Sequence, residues 1–224
     1  MVAPHPDDEA LGCGGLLALL RRAGQPVAAV LVSDGTMSHP GSRLFSAPAR
    51  QAVREAEFRH ALTVLGIDTE PLLLALPDGR VPATTAEPGF EEAVTTLRAF
   101  VHRHAAATVL VPWRRDPHPD HRASSRLVAA ALAGLPQPPR CLEYVVWAWE
   151  RAHPSDLPTP NDNVQGFRLN IAPVLAQKQR AIAVHRSQIV PGVFVDDPQG
   201  FLLSETMLSH FAGPEEVYFE ALPA

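Results

Sequence analysis

Residues 1–33 read MVAPHPDDEALGCGGLLALLRRAGQPVAAVLVS, and three kinds of segment follow one another there. Met1 to Ala3 is an apolar stub that runs straight into Pro4-His5-Pro6-Asp7-Asp8-Glu9. A helix is predicted from about Asp8 to Arg22. Its Gly12, Gly14 and Gly15 cost helix stability, which points to backbone packed closely on a sheet. Pro26 to Ser33 is an almost unbroken apolar run, the pattern of a strand buried on both faces. Strand, helix and buried strand in that order open a parallel sheet. A strand usually has about 5–6 residues, so the first one reads as truncated.

The alternation continues outward. A long loop, Asp34 to Ala47, leads to a helix from about Pro48 to Leu65, with Gly66 just past its end. Leu72 to Leu76 is a strand closed by the turn Pro77-Asp78-Gly79. Phe90, Ala93, Val94, Leu97, Phe100 and Val101 recur at helical spacing over residues 90–103. Thr108 to Pro112 is a strand, and Asp120 is expected to cap a helix reaching about Leu135. Leu142 to Trp149 is another strand, residues 152–164 a surface loop, and Pro173 to about Gln188 a helix. Glu216 to Glu220 suits an antiparallel addition. The expectation is a single α/β domain over residues 1–224, a Rossmann-like three-layer sandwich with a mostly parallel sheet and an irregular C-terminal part.

Bulk properties narrow the function classes. The 224 residues are 46% hydrophobic and 19% charged, an ordinary globular composition able to bury a core without disulfides. A net charge of −5 offers no footprint for nucleic acid or an anionic membrane. No apolar run approaches the ~20 residues of a membrane span, and no secretory pattern is present, so a cytoplasmic enzyme is expected. Cys13 and Cys141 make no disulfide framework. Lys178 is the only lysine among 19 basic residues, which singles it out where arginine is otherwise used.

In parallel α/β sheets, ligands sit beyond the carboxyl ends of strands. Two clusters fall there: His5-Pro-Asp7-Asp8-Glu9, and Asp116-Pro-His118-Pro-Asp120-His121. Imidazoles and carboxylates on neighbouring loops suit a divalent metal of intermediate softness, zinc above all, with ferrous iron as the alternative. Pro6 and Pro119 stiffen their loops. Adjacent Asp7 and Asp8 point different ways, so one can hold a metal while the other reaches a water. Singly, His-Pro-Asp is a turn, Asp120 a cap and Glu9 a complement to a helix N-terminus. Two such segments, each after a strand and before a helix, are hard to attribute to caps.

With these residues the chain resembles the PIG-L/LmbE-like family of zinc-dependent N-acetylglucosamine deacetylases. The motifs that carry the likeness are Pro4-His5-Pro6-Asp7-Asp8-Glu9 and Pro117-His118-Pro119-Asp120-His121. Ser33-Asp34-Gly35, Arg54-Glu55-Ala56-Glu57, Leu76-Pro77-Asp78-Gly79, and Lys178 with His185 and Ser187-Gln188 support it. The resemblance implies His5, Asp8 and His121 as metal ligands and Asp7 as the general base. It implies His118 as the group that, protonated, meets the oxyanion and gives a proton to the leaving amine. Arg54 and Asp78 fall on sugar-binding positions, a looser match. Lys178 is expected to be structural, bonding loop carbonyls or a carboxylate.

The implied reaction is hydrolysis of the acetamide of an amino-sugar conjugate, giving acetate and a free amine. The implied partner is that small-molecule sugar, and a homo-oligomer is compatible with the sequence. A metal-dependent amidohydrolase acting on a non-sugar amide would use the same ligands. A nucleotide-binding module without catalysis is disfavoured, because Gly12, Gly14 and Gly15 lie inside a helix and not in the strand-to-helix turn.

Overall fold

A computed structural model of the chain describes residues 1–222. Its first unit is β1 (Val2–Ala3), α1 (Asp8–Arg22) and β2 (Val30–Ser33), followed by α2 (Ala47–Val64) and β3 (Leu72–Leu76). Next come α3 (Phe90–Arg103), β4 (Thr108–Pro112), α4 (Pro119–Ala133), β5 (Arg140–Tyr144) and the short α5 (Ala148–Arg151). The remainder holds β6 (Val164–Asn170), α6 (Leu175–Val184), α7 (Arg186–Ile189), α8 (Glu205–Ser209) and β7 (Glu215–Ala221).

β1, β2 and β3 form a parallel sheet in that order, and β4, β5, β7 and β6 form a second, mixed sheet. β4 and β5 are parallel, whereas β7 runs antiparallel to both of its neighbours. β1 and β4 lie side by side where the two sheets meet. The chain therefore leaves β1 toward one edge and returns at β4 to build toward the other, the switch point at which open α/β sheets bind ligands. Helices α1, α2 and α6 cover one face around Leu11, Leu17, Phe58 and Leu62; α3 and α4 cover the other around Leu97 and Leu127.

Local boundaries differ from the sequence reading for physical reasons. β2 starts at Val30 and not at Pro26, because the paired part of β1 begins only at Val2. β5 ends at Tyr144, since Asp116 Oδ2 captures the Trp147 amide at 3.0 Å and the chain turns into α5. The predicted helix through residues 173–188 is broken at His185 into α6 and α7. The loop expected over residues 152–164 gives way at Val164 to β6, a strand the sequence reading did not place, which pairs along its whole length with β7.

The α1 glycines pack as their cost implied. A Cβ on Gly12 would lie 2.2 Å from the Tyr144 ring, and one on Gly15 would lie 2.5 Å from Ile171. Tyr144 is fully buried and its hydroxyl donates to the Val2 carbonyl at 2.8 Å. Gly12→Ala must displace that ring and strain this bond, so a loss of about 1–3 kcal/mol is expected in urea unfolding.

Candidate active site

The site is assembled at the carboxyl ends of β1 and β4. Asp7 is the N-cap of α1 with φ 136°, a left-handed conformation that is costly for any residue except glycine. Three contacts hold it there. The Asp7 amide donates to Glu9 Oε2 at 3.0 Å. Arg54 Nη2 donates to the Pro6 carbonyl at 2.9 Å and lies 3.4 Å from Asp7 Oδ2. The twist turns Asp7 and Asp8 apart, as their adjacency suggested.

Asp8 lies between two imidazoles. Its Oδ2 is 3.3 Å from His5 Nδ1 and 3.2 Å from His121 Nε2. His121 is fully buried, yet neither ring nitrogen makes a directed hydrogen bond. Its Nδ1 faces Asp116 Oδ1 at 3.4 Å. Two nitrogens and one carboxylate oxygen form the donor set expected of a zinc centre. The two spacings to Asp8 Oδ2 are close to the edge of a tetrahedron with bonds of ~2.0–2.1 Å, and they are two of the three such a set needs. Tighter groupings in which all ligand atoms lie within 4.8 Å of one another are His5 with His118 and His121, and His5 with Asp78 and Asp120. All of them share His5.

Electrostatics follow from burial. Burial alone would depress His5 and His121, but carboxylates outweigh it. Asp120, Asp78 and Asp8 raise His5 well above its usual value, and Asp8 with Asp116 raises His121 to about 9. Burial pushes Asp7 up to about 7 against the opposing pull of Arg54. Asp78 is pulled down to about 2, because His5 and Arg54 outweigh its own burial.

Burial and the neighbouring His5 and His121 depress His118 to about 4 in the metal-free protein. It also caps α4 in place of Asp120: its Nδ1 accepts the Asp120 amide at 3.2 Å, which leaves its hydrogen on Nε2. Asp120 lies inside the helix and reaches elsewhere. Its carboxylate accepts the Gly79 amide at 2.7 Å and the Val81 amide at 3.2 Å, and contacts His5 Nε2 at 3.1 Å.

These side chains open onto a cleft of about 240 Å³ lined by His5, Asp7, Asp8, Arg54, Asp78 and His118. Met37, Trp147, Arg151, Gln188, Phe201 and Leu203 also line it. Thus Arg54 and Asp78 lie in the same cleft as the metal-type residues, while His121 sits behind it. Sequence reasoning missed Asp120 as a partner of His5, Asp116 as a partner of His121, and the buried pair Glu9–His185 at 2.6 Å. Asp116 and Asp120 were visible inside the second motif; the Glu9–His185 contact joins residues too distant in sequence to pair by spacing.

The family model described as PIG-L, GlcNAc-PI de-N-acetylase, matches residues 1–132 and so covers both motifs. The chain belongs to this family. It is 28% identical over 191 residues to the Bacillus cereus protein named "Probable N-acetyl-alpha-D-glucosaminyl L-malate deacetylase 2", covering 84% of this chain and 82% of that one. It is 27% identical over 206 residues to the diacetylchitobiose deacetylase of Thermococcus kodakarensis, covering 86% and 70%. The solved N,N'-diacetylchitobiose deacetylase of Pyrococcus horikoshii superposes with a TM-score of 0.67 at 23% identity, over 86% of this chain and 71% of that one. That last likeness establishes the fold.

Proposed function

We propose that this chain is a metal-dependent N-deacetylase that hydrolyses the acetamide of an N-acetylglucosamine-type conjugate, releasing acetate and a free amine. The observation that carries the reading is Asp8 Oδ2 lying within 3.3 Å of a ring nitrogen of both His5 and His121, beside a separately aimed Asp7. His5, Asp8 and His121 would hold zinc, or ferrous iron, and His121's buried ring nitrogens, which face only carboxylate oxygens, fit that role. When bound, such an ion polarises an amide carbonyl and acidifies water.

The chain's own residues supply the rest. Asp7, tuned to about 7, accepts a proton from the attacking water and is poised to release it again. Arg54 holds both the Asp7 carboxylate and the Pro6 carbonyl, so the base stays aimed at one spot. Neutral His118 offers its Nε2–H to the carbonyl oxygen as negative charge develops there. Asp78, ionised at neutral pH, is placed to accept hydrogen bonds from sugar hydroxyls.

The deciding experiment is acetate release from a panel of N-acetylglucosamine conjugates, with metal content measured and a chelated control. Chelator-sensitive release supports the proposal. Bound metal without cleavage of any conjugate would move the reading to a non-sugar amide, and absence of metal binding would refute it.

A pH dependence follows from the raised imidazoles. With the folded values of His5 well above 6.5 and His121 about 9, both are protonated in the metal-free protein at pH 7. Metal must displace those protons, so affinity strengthens as pH rises and weakens as it falls. Isothermal titration between pH 6 and 8 should show a gain of about 10–100-fold per pH unit, one proton accounting for each factor of ten.

A further inference from the structure

The strained Asp7 is held from within its own loop and also, through one intermediary, from the far part of the chain. Asp7 takes φ 136° with its amide bonded to Glu9 Oε2 at 3.0 Å. Glu9 is fully buried in α1, and its second oxygen, Oε1, accepts His185 Nε2 at 2.6 Å. A carboxylate only accepts, so Nε2 carries the hydrogen of that bond. One carboxylate thus joins an imidazole to the backbone of Asp7.

The fold places His185 for this contact. Helix α6 ends at Val184, and His185, with ψ 56°, takes the chain out of the helical path before α7 begins. Just beyond it, the Ser187 amide and hydroxyl donate to the two oxygens of Glu57 at 2.8 and 2.6 Å. Glu57 and Arg54 are three residues apart on α2 and therefore share a face. The same helix grips the Asp7 loop through Arg54 and the His185 segment through Glu57.

Stability alone does not account for the pair. His185 is 1% exposed, and its Nδ1 has no hydrogen-bond partner among the described residues. Taking an imidazole and a carboxylate out of water is costly, and apolar side chains of the same size would join α1 to α6 at least as well. What packing cannot do is fix the rotation of a carboxylate, and a directed 2.6 Å bond does.

We propose that His185 is a positioning residue: through Glu9 it holds the Asp7 amide and so keeps the Asp7 carboxylate aimed. The proposal rests on the reading of Asp7 as general base. Without the Nε2 donor, the buried Glu9 carboxylate keeps one partner and is free to turn, and Asp7 relaxes from its strained backbone. A shift of the base by ~1 Å costs up to about 10²-fold in rate.

The test compares His185→Gln with His185→Asn, two carboxamides that differ by one methylene. The longer side chain presents an N–H near the position of Nε2, and the shorter one stops short of Glu9. In metal-loaded protein, His185→Asn should lower kcat by about 10–100-fold with KM and metal content unchanged, while His185→Gln stays close to the unsubstituted chain. Independently of turnover, hydrogen exchange at the Asp7 amide should quicken by about 10-fold or more in His185→Asn and hardly at all in His185→Gln. Unchanged kcat and exchange in His185→Asn, a rise in KM in place of the fall in kcat, or equal impairment of the two variants would overturn the proposal. Failure of both variants to fold and take up metal would make His185 a packing residue and overturn it as well. If the unsubstituted chain cleaves no conjugate, the general-base reading falls, and exchange at the Asp7 amide still decides whether His185 holds that amide.

Discussion

Asp7→Asn is expected to lower kcat/KM for acetate release by about 10²–10⁴-fold while leaving the metal content unchanged. The argument begins with the backbone. Asp7 adopts φ 136°, and asparagine has the same size and branching as the aspartate already held there by Glu9 and Arg54, so the loop should keep its shape. Asparagine would keep its carbonyl oxygen toward the donor Arg54, so its amide nitrogen replaces the other carboxylate oxygen and cannot accept a proton from water. The proposed ligand set is untouched, because Asp8 and not Asp7 lies against His5 and His121. Loss of metal along with activity would transfer Asp7 into the ligand set, and undiminished turnover would remove it from the chemistry. His121→Ala should behave differently and lose metal and activity together.

Lys178→Met should cost about 3–5 kcal/mol of stability, a large share of what a domain possesses. Lys178 is 1% exposed, and its ammonium donates to Glu216 Oε1 at 2.7 Å. The same carboxylate accepts the Gly15 and Leu16 amides at 2.7 and 2.8 Å and the Tyr218 hydroxyl at 2.7 Å. Four donors converge on one buried anion, which pins the middle of α1 to β7 and α6. Removing the cation leaves that anion uncompensated. Adding Glu216→Gln to Lys178→Met should therefore cost less than Glu216→Gln alone, a coupling that urea unfolding of the four combinations measures. A loss below about 1 kcal/mol for Lys178→Met would show that backbone donors alone suffice.

How far the sequence led is clearest from individual elements. The two His-Pro-Asp segments were legible because each contains its own chemistry, its own stiffening proline and an adjoining strand or helix. α3 was legible to the residue, since its six buried positions repeat at helical spacing. Lys178 was legible by its rarity. β6 was not. Its alternate positions are exposed and half-buried, it lacks an apolar run, and it exists only because β7 pairs with it. The state of His118 was illegible for a related reason. Whether that imidazole is charged depends on His5, more than a hundred residues away, and on a helix amide whose position local sequence does not reveal.

The cleft draws on two separate stretches of chain. His5, Asp7, Asp8, Arg54, Asp78 and His118 all come from the first 132 residues, the span of the family match. Trp147, Arg151, Gln188, Phe201 and Leu203, which also line the cleft, come from beyond it. The proposed chemistry and the proposed sugar contacts Arg54 and Asp78 therefore share the family segment, while the later segment adds further lining. Substitutions among those later residues would reshape what enters while leaving the proposed metal-holding residues in place.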